Sequence, residues 1–244
     1  MEMHSDLRQR IQIVLALALS LAAIRTGYIL YGRYAAKAPG AQKAEPAAPP
    51  LDPDYYVVPK KLYPFDLKTA RQLTQQPVWV KEGYRYPYYP YNSTLRRTDF
   101  EHDAGLLLPI QKLQIQDVVL DTAPRSGGQQ QVMALFQQAG KTYAFQIGYR
   151  KDGDYKIYSD AMLYVQDPRD LYKHWPAEVW QAVEQHQVRP GMNELQVDFA
   201  IGMGTPDRQA DPAWKTVHYP HGGSPITITF HDGKATEIKS GNNS

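Results

Sequence analysis

Cysteine is absent from all 244 residues. That excludes disulfides, thiolate metal sites, a cysteine nucleophile and a lipid-modified N-terminal cysteine. Several reaction signatures are missing as well. There is no Gly-x-Ser-x-Gly nucleophile elbow, and Gly202-x-Gly204 does not sit in a strand-turn-helix unit, so it fails as a phosphate loop. No internal repeat is apparent. A charge bias is also lacking: the formal net charge is +2. Six of the 27 basic residues and three of the 25 acidic ones lie in residues 1–50, leaving 21 and 22 in the remainder. The near-neutral remainder argues against nucleic acid as a partner, since phosphate binding needs a basic surface. What is present is ordinary globular composition, 43% hydrophobic and 21% charged, enough for one or two domains.

One long apolar run stands near the N-terminus. Residues 11–21 are almost wholly apolar and follow Arg8 and Arg10. A cleaved signal peptide has this pattern, with Ala36-Lys37-Ala38 as the nearest cleavage site. The favoured reading is an uncleaved transmembrane signal anchor over residues 11–32, behind a short tail at residues 1–10. That length spans a hydrocarbon core of about 30 Å, and Tyr28, Tyr31 and Tyr34 suit the interface. Arg25 costs roughly 2.5–3.5 kcal/mol at a bilayer centre, but near the end of the span it snorkels outward. Arg8 and Arg10 favour a cytoplasmic N-terminus, whereas Arg33, Lys37 and Lys43 pull the other way. The resulting expectation is a single-pass inner-membrane protein with the bulk of the chain in the periplasm. The Ala/Pro-rich residues 33–54 read as a semi-stiff tether.

Residues 55–168 read as a β-rich domain with a Tyr-rich segment. A short helix is expected near residues 67–73, a strand at 78–81, and irregular structure after it, because Pro87 and Pro90 break helices. Tyr84, Tyr86, Tyr88, Tyr89 and Tyr91 allow two readings. They pack over a small barrel with their hydroxyls outward, or they form an exposed aromatic face for a protein or glycan. Tyr143, Phe145, Ile147 and Tyr149 share one strand face at period two. Gln138-Ala-Gly-Lys141 and Asp152-Gly153 mark hairpins. Short strands at this spacing suggest a small barrel or sandwich.

Residues 169–244 read as two helices followed by a three-stranded antiparallel sheet, so the fold class is α+β. Pro176 suits the first turn of a helix over residues 176–187. Asn193 with Gln196 forms a capping-box pattern opening a second helix over 193–202. Strands follow at 214–219, 226–230 and 235–239. The segments Val188-x-Pro-Gly-Met192-Asn-Glu-x-Gln-Val197, Gly204-x-Pro206-Asp-Arg, Trp214-x-x-x-x-Tyr219 and Phe230-x-x-Gly233-Lys resemble the SmpA/OmlA (BamE-like) domain over about residues 176–240. The resemblance implies an αα-βββ fold, an envelope location and a role in protein–protein contact. The family's lipidated cysteine is absent, and Ile201-Gly-Met-Gly-Thr205 is longer than the family's single glycine.

His218, His221 and His231 are the metal candidates, set against a plain reading as solvated loop histidines. His174 and Glu178, four apart, read as a surface pair on the first helix. No cofactor, catalytic residue or small-molecule ligand is called for. The function expected is a non-catalytic interaction module in the cell envelope. Its contacts fall on Tyr84, Tyr86, Tyr88, Tyr89, Tyr91, Trp214 and Tyr219. The alternatives are a metal-dependent hydrolase using the three histidines, or a binder of cell-wall polysaccharide through tyrosines. If the anchor reading holds, the chain stays in the membrane fraction after alkaline extraction, and protease added from the periplasmic side digests the part beyond the anchor. Release into the soluble fraction would instead mark a cleaved signal.

Overall fold

The computed structural model describes residues 3–36, 51–83, 85–208, 211 and 213–241. The chain divides into two compact units, residues 1–51 and 52–244. In the first, α1 (Met3–Ala36) is one continuous helix of 34 residues. Within it Leu15–Tyr34 is long and apolar enough to cross a membrane or to act as a signal sequence.

The second unit runs through β1 (Val78–Val80), β2 (Tyr86–Asn92), β3 (Arg97–Thr98), β4 (Gly105–Leu107), β5 (Lys112–Leu113), β6 (Ile115–Asp121), β7 (Gln130–Gln138), β8 (Lys141–Lys151), β9 (Asp154–Ile157) and β10 (Leu163–Tyr164). It ends in β11 (Thr205–Pro206), β12 (Trp214–Tyr219), β13 (Ile226–His231) and β14 (Lys234–Ser240). Its helices are α2 (Leu67–Ala70), α3 (Ser159–Met162), α4 (Pro168–Leu171), α5 (Ala177–Glu184) and α6 (Glu194–Ile201). Every pairing is antiparallel and the chain is mixed α+β. A seven-stranded sheet runs β3-β2-β8-β7-β6, with β4 against β2 and β9 against β8. Neither it nor the four-stranded sheet β11-β12-β13-β14 closes into a barrel among the described residues.

The third sheet, β10-β1-β5, joins two cores. Successive side chains on a strand point to opposite faces. Val78 pairs with Leu113 and Val80 with Leu163, and all four enter a core with Val132, Phe136, Phe145 and Ile147. Trp79 pairs with Tyr164, and both turn into the other core with Tyr172, Trp175 and Phe199. All three residues of β1 are buried, as a strand covered on both faces requires. Core membership therefore crosses the sequence boundary expected near residue 168.

The C-terminal elements follow their local signals. Asn193 Oδ1 accepts from Gln196 N at 2.9 Å and Gln196 Oε1 accepts from Asn193 N at 2.9 Å, so the capping box closes at the start of α6. Gly202 ends that helix at φ 86°, a conformation that favours glycine. Asp232 and Gly233 both have positive φ in the β13–β14 hairpin. Ala182 and Val183 of α5 and Val197, Phe199 and Ala200 of α6 pack on Val217, Tyr219, Ile228 and Phe230 of the sheet. Gly204 admits no side chain, because a Cβ there would lie 2.5 Å from Val217 and 2.9 Å from Tyr219.

The segment after β1 corrects the expectation of irregular structure. Tyr86–Asn92 is a strand despite Pro87 and Pro90. Residues before proline are driven to extended geometry, and the strand is paired piecewise. Pro87 stands opposite Leu106 of β4, while Pro90 stands opposite Tyr143 of β8. Pro87 thus faces a partner strand on one side, as an edge position allows, whereas Pro90 pairs with β8 and its carbonyl also accepts from Asp99 N at 2.9 Å.

Trp79→Ala removes a large side chain shared with the C-terminal core and should cost about 3–5 kcal/mol. Because β1 serves both cores, far-UV and near-UV circular dichroism should report one coincident, lowered unfolding transition. Two separated transitions would show that the cores fold independently.

Candidate functional site

Three features of residues 52–244 carry functional chemistry. The first is a carboxylate node. Asp54 lies in a 3-10 turn over Pro53–Tyr56, and its side chain is 12% exposed. Its Oδ1 accepts from Trp175 Nε1 at 2.7 Å and pairs with His174 Nε2 at 2.6 Å. Its Oδ2 accepts from Asn193 Nδ2 at 2.9 Å. Three donors satisfy a carboxylate that burial would otherwise penalise. The node fixes the amide that caps α6, and Trp175 joins the rings of Tyr172 at 4.6 Å and Phe199 at 4.9 Å. His174 precedes α5 rather than riding on it, so its partner is Asp54, and the expected surface pair with Glu178 does not form. A His–Asp pair is two-thirds of an acyl-transfer triad. Among the described residues no hydroxyl is hydrogen-bonded to the His174 ring.

The second feature is Asp198, 8% exposed on α6. Its pKa is pushed up to about 7, first by burial and then by the charge of Glu194. The Tyr219 hydroxyl and Lys215 oppose that rise. Asp198 Oδ1 and the Tyr219 hydroxyl are both buried without a hydrogen bond of normal geometry, although the two groups lie close enough to interact. Lys215 Nζ is held by Glu194 at 2.6 and 2.8 Å. Beside this group the Tyr164 hydroxyl donates to Glu82 Oε2 at 2.7 Å, and burial raises the Tyr164 pKa. A perturbed carboxylate often marks a catalytic site. Asp198 is not among the residues that line the four clefts of this surface.

The third feature is on the surface. A cleft of about 470 Å³ opens beside β1 and the end of α6. Leu106, Leu108 and Met203 line it and are exposed there, with Lys81 and Arg85 on the same lining. Lys81 Nζ donates to the Asp160 carbonyl at 2.6 Å and lies 5.0 Å from the Tyr164 ring centre. Burial lowers its pKa. Elsewhere residues 55–65 form a strap that leaves the 3-10 turn at Tyr56 and runs on without helix or strand to Phe65. Val57, Leu62 and Pro64 turn inward. Tyr55, Tyr56, Val58, Tyr63 and Phe65 turn outward and are 69% to 84% exposed. Sequence reasoning missed this row. The signal was available in the near-alternation of Val57-Val58 and Leu62-Tyr63-Pro64-Phe65.

The contact residues expected from sequence separate into groups. Tyr84 lies outside the described residues. Tyr86, Tyr88, Tyr89 and Tyr91 sit on β2, half-buried. Tyr88 meets Phe136 and Tyr143 edge-on at 5.6 and 5.1 Å, and Tyr89 packs on Phe100. Trp214 is 46% exposed and stacks on His231 at 4.2 Å. Tyr219 is 1% exposed, which corrects its assignment as a surface contact. Trp214 and Tyr219 differ in parity along β12, so when one faces out the other faces the helices. The three metal candidates do not gather. His231 stands opposite Trp214 and His218 opposite Thr227. Those positions are four residues apart on β13, about 13 Å at strand rise, too far for a shared ion. His218 instead pairs with Asp207 at 3.0 Å. Among the described residues no group of three His, Asp or Glu side chains is placed to hold a metal.

No family model, curated protein or solved structure matches this chain.

Asp198 gives a pH prediction. Its folded-state pKa of about 7 lies above the unfolded value of about 3.9. The folded state therefore holds the proton more tightly, and this stabilisation is full below about pH 4 and lost as pH rises through about 7. Asp198→Asn should raise the melting temperature at pH values above 7 and flatten its fall between mildly acidic and neutral pH. An unchanged melting profile would place the Asp198 proton elsewhere.

Proposed function

We propose that this chain is a membrane-anchored cell-envelope protein whose exported part is a non-catalytic protein-interaction module acting in envelope biogenesis. The observation that carries the proposal is the exposed row Tyr55, Tyr56, Val58, Tyr63 and Phe65. Five large side chains within residues 55–65 are left in water, and exposed apolar surface gathered in one stretch marks interaction sites. Tyrosine and phenylalanine are also enriched at protein interfaces. The row is backed by an ordered scaffold. Lys60 N donates to Gln166 Oε1 at 2.9 Å, and the Asp54 node anchors the start of the strap.

Two further observations support the reading. The helix Leu15–Tyr34 meets the length and hydropathy of a membrane span or signal sequence. Two helices pack over the meander β12-β13-β14, to which β11 adds a fourth strand; this arrangement supports the αα-βββ reading taken from the SmpA/OmlA resemblance, and assignment of residues 176–240 to that domain is part of the proposal. Lys60 and Lys61 interrupt the exposed row, so its partner is a protein with an apolar groove and acidic flanks.

The test is photo-crosslinking in intact membranes with the full chain. A photoreactive residue at Tyr63 or Phe65 should capture the same discrete protein, and one at exposed Glu237 should not. Tyr55→Ser with Tyr63→Ser should reduce that capture at least tenfold, since contact aromatics commonly carry more than about 1.4 kcal/mol. Equal capture from all three sites, or none from the strap, defeats the proposal.

A further inference from the structure

The cleft beside β1 has a chemistry that the protein-interaction reading does not use. Its lining includes Lys81, Arg85, His186 and His221 and, among the described residues, no carboxylate or amide side chain. Lys81, Gly83 and Arg85 line the cleft, whereas Glu82 is engaged with the Tyr164 hydroxyl at 2.7 Å. The apolar part comes from Leu106, Leu107 and Leu108 on one side and Ile201 and Met203 on the other. The volume, about 470 Å³, falls in the range of about 300–1,000 Å³ usual for small-ligand sites.

We propose that this cleft binds a single-chain anionic amphiphile of the fatty-acid class, with the acyl chain on the leucines and Met203 and the carboxylate at Arg85. Exposed leucines gain by covering apolar surface. A lining with two cations, Lys81 and Arg85, and no carboxylate among the described residues attracts an anion, and the Arg85 guanidinium suits a carboxylate in paired geometry. A peptide fits less well. It brings a backbone donor and acceptor with nearly every residue, and among the described residues the neutral polar side chains on the lining are the hydroxyls of Tyr86 and Thr205. An acyl chain needs no such partners.

The experiment uses the full chain in phosphatidylcholine nanodiscs, with empty nanodiscs as the reference. Dansyl-labelled undecanoate should show saturable fluorescence above the reference. Saturated fatty acids should displace it with affinity rising about fourfold per added methylene until the cleft is full. Dodecanoate should displace the probe at least tenfold better than dodecanol. Arg85→Ala should erase that preference while leaving dodecanol unchanged. Met203→Trp should block both ligands by filling the cleft, with circular dichroism confirming that each variant is folded. Fluorescence no higher than in empty nanodiscs overturns the proposal. So does an unchanged acid-over-alcohol preference in Arg85→Ala. A tri-leucine peptide with a free carboxylate that displaces the probe better than dodecanoate overturns the amphiphile in favour of a peptide. A failed strap crosslink leaves each of these readouts unaffected, so the two proposals fail separately.

Discussion

The architecture of residues 52–244 depends on a strand of three residues with no solvent face. Val78 and Val80 belong to one core and Trp79 to the other, and their cross-strand neighbours divide the same way. A shift of one residue in register would exchange the two sets and drive an indole into a space shaped for valines. The β-rich half and the helix-covered meander therefore share this wall. Its neighbourhood also builds the cleft: Val80 and Lys81 lead directly into it.

Polar groups tie the same core at two places. Asp54 collects donors from His174, Trp175 and Asn193, joining the start of the folded unit to the helix pair through a carboxylate with both oxygens used. Such a node favours one arrangement, since loss of any donor leaves a shielded charge short of a partner. Asp198 is the contrasting case. It lies under the sheet with Glu194 nearby, and burial outweighs the help of Lys215 and Tyr219, so its pKa rises to about 7. One carboxylate stabilises the fold as an acceptor, and the other is accommodated best when protonated.

The surface carries two apolar features of different kind. The strap presents an exposed row, aromatic except for Val58, backed by an inward set of Val57, Leu62 and Pro64. The cleft is concave and bordered by basic groups. Exposed aromatic rows suit the surface of another protein, and concave apolar spaces suit small ligands. Of the three histidines considered for a metal, His221 lines the cleft, while His218 and His231 stand on β12 and β13 away from both features.

The amino-acid sequence alone determined what is local. Capping at Asn193 and Gln196, the turn at Asp232-Gly233, the period-two strands of the meander and the apolar N-terminal run each follow from a few neighbouring residues. The parity of β12 already separated Trp214 from Tyr219, although reading both as contacts overlooked it. Tertiary structure decided everything that joins distant segments. Pro87 and Pro90 speak against a strand until β4 and β8 are seen to pair with different stretches of it. His174 looks like a helix-surface partner of Glu178 until Asp54, 120 positions away, takes its ring. The cleft draws on residues from Val80 to His221, and no short pattern encodes it, because a cavity is set by how elements pack and not by what any one of them contains.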